Sequence, residues 1–173
     1  MKHFPISRQQ TNSVDCGPSC LQMVAKYYGK IHSLQTLREL CQINEFGVSL
    51  LNLSKAAESI GFRCIYIHAT IDELYKAPLP CIVHWKQHHF VVVYKITSNY
   101  GFLKKAKVCV ADPARGLINY SVQKFVSHWT YSTKDGIAEG IALLLEPSDA
   151  FWENDEHRNL EKKRTIFNSL HLR

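Results

Sequence analysis

The feature that most restricts the fold of this chain is the segment QTNSVDCGPSC at residues 10–20, which has Cys16 at its centre. Gly17 and Pro18 follow the cysteine, and an apolar-periodic run then continues to Gly29. Pro is favoured in the first turn of a helix and Gly just past its end. The pattern therefore predicts a helix that begins at or near Cys16 and ends near Gly29.

The start of a helix is a chemically special place for a cysteine. The helix dipole and the unpaired N–H groups of the first turn favour an anion, and therefore the thiolate form of Cys16. The neighbouring Asp15 opposes this effect because it is itself negatively charged. A nearby cation is needed, and the obvious one is a histidinium supplied from elsewhere in the chain.

Length and composition limit the classes of protein to which the chain can belong. Its 173 residues, 46% of them hydrophobic, suffice for one globular domain with a single core. The longest apolar runs, such as residues 141–145, are far shorter than the ~20 residues of a membrane helix, and residues 1–10 do not resemble a signal peptide. We therefore expect a cytoplasmic domain. The net charge of +6 is mostly scattered, which favours a solvated face and no nucleic-acid site.

The other cysteines are expected to be structural. They lie mostly inside apolar periodic segments and lack paired CxxC spacing, which is typical of small buried side chains in a reducing compartment; they are Cys20, Cys41, Cys64, Cys81 and Cys109. A metal site formed by Cys16, Cys20, His88 and His89 is the alternative. The Gly-Pro pair at the helix start and the absence of a second CxxC argue against it.

The hydrophobic pattern changes its period along the chain. In the first half, Ser33 and Ser49 each precede an amphipathic helical pattern, and Gly61 ends the second one. The second half contains β-rich runs, with short helices expected at 71–77 and 122–129; the runs are FRCIYIHA, PCIVHW, HFVVVYKI, KVCVAD, LINYS and IALLLEP. Helices followed by strands predict an α+β fold in which a helical lobe packs on a largely antiparallel sheet.

A cysteine nucleophile requires a base, a group that orients the base, and donors for an oxyanion. The candidate bases are His84, His88 and His89. His88 and His89 point to opposite faces of a strand, and the strong apolar run that follows His89 would anchor it. His84 or His88 as the base, with His89 simply packed in the strand, remains the alternative.

Two further residues complete the candidate site. Asp112 ends a strand pattern before Pro113, where it is expected to accept the Nδ1 hydrogen of the histidine. The alternative is an Asp-Pro turn without a catalytic role. Gln10, on a polar loop six residues before the cysteine, is the candidate oxyanion donor together with the Cys16 N–H, although Gln9 lies next to it.

With these motifs the chain resembles the N-terminal cysteine peptidase domain of bacterial peptidase-containing ABC transporters, the bacteriocin-processing or double-glycine leader peptidase family. The resemblance covers roughly residues 5–147; its motifs are Gln10 with VDCGPSCLQMVAKYYG, then GVSLLNLSKAAESIGF, then PCIVHW with HHFVVV, and VADPARG. It implies a papain-like fold. It also implies that Cys16 is the nucleophile, His89 the base, Asp112 the orienting acid and Gln10 the oxyanion donor.

The resemblance further implies a function and its partners. The domain would cleave a leader peptide after a Gly-Gly pair at the cytoplasmic face of the bacterial plasma membrane, coupled to export of the cargo. A catalytically silent docking domain that binds the export substrate is the alternative. The peptidase domain itself would need no metal or other cofactor. ATP and Mg²⁺ would bind only the nucleotide-binding domain, which, like the transmembrane domain, is expected elsewhere in a longer polypeptide.

The expected domain boundary follows residue 147. Beyond it the apolar pattern fails, and residues 148–173 are charged and lack turn chemistry. We therefore expect residues 1–147 to form the peptidase domain and residues 148–173 to form a linker toward the transmembrane domain.

Overall fold

A computed structural model of the chain describes residues 3–6, 13–86, 88–97 and 106–153. These residues form five α-helices and seven β-strands. The helices are α1 (Cys16–Tyr27), α2 (Leu34–Cys41), α3 (Leu50–Ser59), α4 (Ile71–Lys76) and α5 (Val122–Trp129). The strands are β1 (Phe62–Ala69), β2 (Cys81–Trp85), β3 (His89–Thr97), β4 (Lys107–Asp112), β5 (Gly116–Ser121), β6 (Thr130–Lys134) and β7 (Ile137–Pro147).

Side-chain caps begin four of these helices. Ser33, Ser49, Thr70 and Ser121 have extended backbone, and each side chain accepts a hydrogen bond from the N–H three residues later. Such bonds satisfy donors that have no partner inside the helix. The predicted caps at Ser33 and Ser49 are confirmed, as is the predicted start of α1 at Cys16.

The strands form one antiparallel sheet in the order β1-β7-β2-β3-β4-β5, with β6 paired to the first part of β7. Helices cover both of its faces. Helices α1, α2 and α3 pack on one face around residues such as Leu21, Leu53 and Leu143. Helices α4 and α5 pack on the other face, where Phe125 and Trp129 are buried. The predicted α+β class with a helical lobe on an antiparallel sheet is confirmed.

The sequence pattern missed β6 and the first residues of β7. In this region the pattern predicts a strand only over residues 141–147. In the structure β7 begins earlier, at Ile137, and its first residues pair with β6. The residues of β6 are exposed or half-buried, so they show no apolar alternation. Pairing of this hairpin therefore leaves little trace in the hydrophobic pattern.

Packing continues beyond residue 147, the boundary expected from the sequence. Ser148 donates hydrogen bonds to the carbonyl of Gly61 through both its N–H and its hydroxyl, and Phe151 is fully buried in a helical turn at residues 149–153. The Phe151 ring lies against Phe62 and Tyr28. The remaining residues of the expected linker, 154–173, lie outside the described part. Among the described helices, none has both the length and the apolar character required to cross a membrane.

Candidate active site

Three of the predicted site residues lie at the start or end of regular elements that pack together. Cys16 is the first residue of α1, and α1 packs against β3, which begins at His89. Asp112 is the last residue of β4. Because β3 and β4 are antiparallel neighbours, the start of one strand lies beside the end of the other. The fold therefore brings Cys16, His89 and Asp112 together at one end of strands β3 and β4.

The carboxylate of Asp112 is buried and holds the imidazole of His89. Its Oδ1 lies 2.9 Å from His89 Nε2 and also accepts the backbone N–H of Ala114 at 2.9 Å. Burial alone raises the pKa of Asp112, but these hydrogen bonds and the charges of His89 and Arg115 lower it below the ordinary value. Asp112 is therefore a carboxylate at neutral pH.

The imidazole of His89 is poised to carry a positive charge. Its burial by itself lowers the pKa, but hydrogen bonds to Asp112 and Cys16, together with the negative charges of both, raise the pKa of His89 to about 9. The imidazolium therefore prevails at neutral pH. This is the histidinium that the sequence required beside Cys16.

The ring nitrogen that faces the carboxylate differs from the expectation. The sequence-based prediction that Asp112 accepts the Nδ1 hydrogen is wrong, because Nε2 is the atom bonded to Asp112. Since Nε2 is occupied in this way, Nδ1 is the nitrogen left for the hydrogen bond to Cys16. Residue types and spacing cannot distinguish the two nitrogens, which depend on the rotamer of the ring.

The negatively charged Asp15 forms an ion pair with a residue that sequence reasoning missed. Arg38, on α2, donates from Nε to Asp15 Oδ1 at 2.8 Å and from a terminal guanidinium nitrogen to Oδ2. The Asp15 side chain is almost completely buried, whereas that of Arg38 is one-third exposed. No spacing rule connects residues 15 and 38, so this pair became visible only through the packing of α1 on α2.

Cys20 lies one turn beyond Cys16 on α1 and links that helix to the strand of the base. Its thiol donates to the carbonyl of Phe90, the residue after His89, at 3.3 Å. Burial raises the pKa of Cys20 well above its usual range, and the negative charges of Cys16 and Asp112 add to this effect. Cys20 therefore remains a neutral thiol.

The remaining cysteines are free thiols with raised pKa values. Burial raises the pKa of Cys41, Cys64 and Cys81 to about 12, and also raises that of Cys109. Cys64 is the only one of the six that is more than marginally exposed. Four of the five structural cysteines are buried as predicted, and Cys64 is half-buried.

The alternative bases occupy other places. His84 packs its ring against Phe90 and Tyr131, and His88 is exposed. Gln10, the predicted oxyanion donor, lies outside the described residues. Within residues 3–6, 13–86, 88–97 and 106–153, no cluster of three or more His, Cys, Asp or Glu side chains is arranged to hold a metal ion.

The chain is similar in sequence to known proteins. The model of the Peptidase C39 family matches residues 4–133 of the chain. The lactococcin-G-processing and transport ATP-binding protein LagD of Lactococcus lactis subsp. lactis is 35% identical over 145 residues, which are 80% of this chain and 18% of that protein. The colicin V secretion/processing ATP-binding protein CvaB of Escherichia coli is 28% identical over 94% of this chain and 21% of its own length. The chain thus spans about a fifth of these relatives.

Solved structures share the fold over most of the chain. The peptidase domain of Streptococcus ComA, a bifunctional ABC transporter of a quorum-sensing pathway, has a TM-score of 0.69 and 30% identity, with 84% of this chain and 100% of that chain covered. A double glycine motif protease from an AMS/PCAT transporter, solved in complex with the leader peptide, has a TM-score of 0.67 and 30% identity, covering 83% and 91%. The predicted papain-like peptidase fold is confirmed.

Proposed function

This chain belongs to the Peptidase C39 family, and on that premise we propose that it cleaves the leader of an exported peptide after a Gly-Gly pair. Cys16 is the nucleophile, His89 the general base and acid, and Asp112 the residue that orients the imidazole. The observation that carries this assignment is the series of hydrogen bonds that joins Asp112 to His89 and His89 to Cys16. This arrangement supplies a nucleophile together with an oriented base.

The reaction proceeds through an acyl-enzyme. The Cys16 thiolate attacks the carbonyl carbon of the second leader glycine and forms a carbon–sulfur bond. The His89 imidazolium then protonates the departing amine as the peptide bond breaks. Water gives one proton to the neutral His89 as it attacks the thioester, and the carbon–sulfur bond then breaks. Cys16 leaves as a thiolate beside the restored His89 imidazolium, and the new carboxyl group of the leader loses its proton to solvent. The Cys16 N–H and the Gln10 amide stabilise the oxyanion that forms during acylation and again during hydrolysis.

The negatively charged Asp112 makes the ion pair between His89 and Cys16 favourable. Its buried carboxylate stabilises the imidazolium, and the imidazolium in turn stabilises the thiolate. The second contact of Asp112, with the N–H of Ala114, helps to fix the orientation of the carboxylate that faces the imidazole. The site thus supplies the cation beside Cys16 that attack by a thiolate requires.

The relatives of this chain support a proposal about its substrate and about the transporter to which it belongs. Those relatives are processing and transport ATP-binding proteins, and one structural neighbour was solved with a leader peptide. We infer that this chain is the peptidase part of a longer ABC transporter at the cytoplasmic face of the bacterial membrane. Its partners are then the leader of a bacteriocin or signalling peptide and the transmembrane domain. ATP and Mg²⁺ would act only at the nucleotide-binding domain.

The peptidase unit is proposed to extend slightly past residue 147. Phe151 and Ser148 pack on the domain, so the linker toward a transmembrane domain would begin after the helical turn at 149–153.

Selectivity for glycine would follow from a channel beside Cys16 that is too narrow for side chains.

Mass spectrometry of a cleavage reaction tests the proposal. The domain is incubated with a synthetic leader that carries Gly-Gly before a short cargo, and Cys16→Ala serves as the inactive control. A second substrate with Ala-Ala in place of Gly-Gly tests the selectivity. A single cut after the second glycine, absent from the control, is expected. Binding of the leader without any cut would instead favour the silent docking domain.

A further inference from the structure

Proceeding from the proposed cleavage by Cys16, we infer that Arg38 is a positioning residue that holds the Asp15 carboxylate away from the start of helix α1. Arg38 contacts both oxygens of Asp15 and not the reacting atoms. Its role is therefore exerted through Asp15, which directly precedes the nucleophile. Without Arg38, this buried carboxylate would compete for the part of the helix that the thiolate and the oxyanion use.

The start of α1 differs from the starts of the other helices. Each of α2 to α5 has a Ser or Thr N-cap with extended backbone, and the side chain of that cap accepts a hydrogen bond from a backbone N–H. Asp15 stands at the N-cap of α1, and Asp is as good a capping residue as Ser, yet its side chain makes no such bond. Its backbone is helical instead, because a 3₁₀ turn at Ser13–Asp15 runs directly into α1.

The Asp15 side chain therefore does not occupy the backbone N–H groups next to Cys16. An N-cap side chain ordinarily accepts from the second or third residue of the helix, which here are Gly17 and Pro18. Pro18 has no N–H, so a capping Asp15 would turn to Gly17, the residue after the nucleophile. It would then place a carboxylate where negative charge must develop on Cys16 and on the substrate. The two hydrogen bonds from Arg38 direct both oxygens of Asp15 elsewhere.

The charges in this region agree with that role. Asp15 is 1% exposed, and a buried carboxylate without a partner is strongly unfavourable. The two bonds from Arg38 satisfy both of its oxygens, and the hydrogen bond to Asp15 also raises the pKa of Arg38. An open cavity of about 430 Å³, lined by Asp15, Arg38, Glu39 and Gln42 among others, lies beside the pair. Arg38 thus neutralises from α2 a charge that α1 places next to its own nucleophile.

A double variant that lacks both charges separates this role from a purely structural contact between α1 and α2. Arg38→Gln leaves the Asp15 carboxylate without its cation, whereas Asp15→Ala with Arg38→Gln removes both charges. Arg63→Gln is the matched control, since Arg63 pairs with Glu146 at 3.5 Å on the exposed surface. For each variant, the rate of iodoacetamide reaction at Cys16 is measured by mass spectrometry, together with kcat and KM on the Gly-Gly leader and the thermal unfolding midpoint.

We expect Arg38→Gln to slow alkylation of Cys16 and to lower kcat by about fivefold or more, with KM nearly unchanged, because a like charge disfavours the thiolate. The double variant should recover both rates to within about twofold of the wild type, because the opposing charge is gone. Arg63→Gln should react like the wild type. If Arg38→Gln does not fold, Arg38→Lys takes its place, because a lysine keeps the charge but does not hold both oxygens at once.

Two results would overturn the inference. Arg38→Gln could react as fast as the wild type, or the double variant could remain as slow as the single one, which is the behaviour of a merely structural pair. Alkylation does not depend on cleavage of the leader. A wild-type protein that is alkylated at Cys16 but cuts no leader would therefore count against the proposed function alone, while the alkylation rates still decide the role of Arg38.

Discussion

His89 Nε2 lies 2.9 Å from Asp112 Oδ1, which leaves the other ring nitrogen to Cys16 and aligns the three side chains in one order. The same Oδ1 also accepts the N–H of Ala114, so the carboxylate is held by the turn that follows β4. The imidazole therefore has a fixed partner on one side and the thiol on the other. The geometry explains why a buried histidine has a raised pKa here.

Replacing the carboxylate tests this order. Asp112→Ala removes the acceptor of His89 and the charge that stabilises its imidazolium, so cleavage of a Gly-Gly leader should fall by at least about tenfold in kcat/KM. Asp72→Ala, at an exposed position in the first turn of α4, is the matched control and should leave kcat/KM unchanged. Equal activity of both variants would show that Asp112 only ends its strand.

Thiol labelling discriminates activation from exposure. Cys64 is the most exposed cysteine, but burial raises its pKa to about 12, whereas Cys16 is 5% exposed and lies against the His89 imidazolium. At neutral pH we expect iodoacetamide to modify Cys16 first, as located by peptide mass spectrometry. His89→Ala should abolish this preference. Faster labelling of Cys64 in the wild type would mean that exposure alone controls the reaction.

The stability of the domain should depend on pH through His89. The pKa of His89 rises from the ordinary 6.5 to about 9 on folding, so the folded state binds the proton more tightly. The resulting stabilisation, up to about 3 kcal/mol, is fully present below pH ~6.5 and is lost as the pH rises through about 9. Urea unfolding at a series of pH values measures it, against His89→Gln as the reference.

A second variant identifies the source of that dependence. Cys16→Ala removes the hydrogen bond and the charge that Cys16 contributes to His89, while Asp112 remains. The difference in unfolding free energy between this variant and its His89→Gln counterpart should therefore disappear at a lower pH than in the wild type. An unchanged pH range would show that Asp112 alone raises the pKa of His89.

Much of the fold followed from local chemistry that the sequence displays. The helix starts at Ser33 and Ser49 and the core strands were predictable because caps and apolar runs are local signals. Cys16, His89 and Asp112 were identifiable as a set because nucleophile, base and acid each need a particular residue type. The pairing of Arg38 with Asp15 was not predictable, since it depends on how two helices pack rather than on spacing. The exposed strand β6 lacked a pattern for a related reason.

The residue after the nucleophile should tolerate no side chain unless its neighbour gives way. A Cβ added to Gly17 would lie 2.3 Å from Val48 Cγ1, whereas Leu53 and Phe90 would be at ordinary contact distance. Gly17→Ala should therefore displace the start of α1 and lower kcat/KM on the order of tenfold, because small shifts of a nucleophile are costly. Val48→Ala removes the clashing methyl group. The double variant should regain most of the activity, and no recovery would contradict this steric account.

The packed unit should lose stability when its last buried side chain is removed. Phe151 is fully buried against Phe62 and Tyr28, and the Lys30 ammonium lies 5.2 Å from its ring centroid. Phe151→Ala should therefore lower the free energy of unfolding by about 3–5 kcal/mol. Its neighbour Trp152 is half-exposed, and Trp152→Ala should cost less than about 1 kcal/mol.

Truncation provides the companion measurement at this end of the domain. A chain that ends at residue 147 lacks Phe151 and the two bonds from Ser148 to Gly61, whereas a chain that ends at residue 153 keeps them. Urea unfolding should show the shorter chain to be the less stable by at least as much as Phe151→Ala, because it loses the same ring and two hydrogen bonds besides. Equal stability of the two chains would return the boundary to residue 147. It would also mean that the helical turn at 149–153 contributes nothing to the fold.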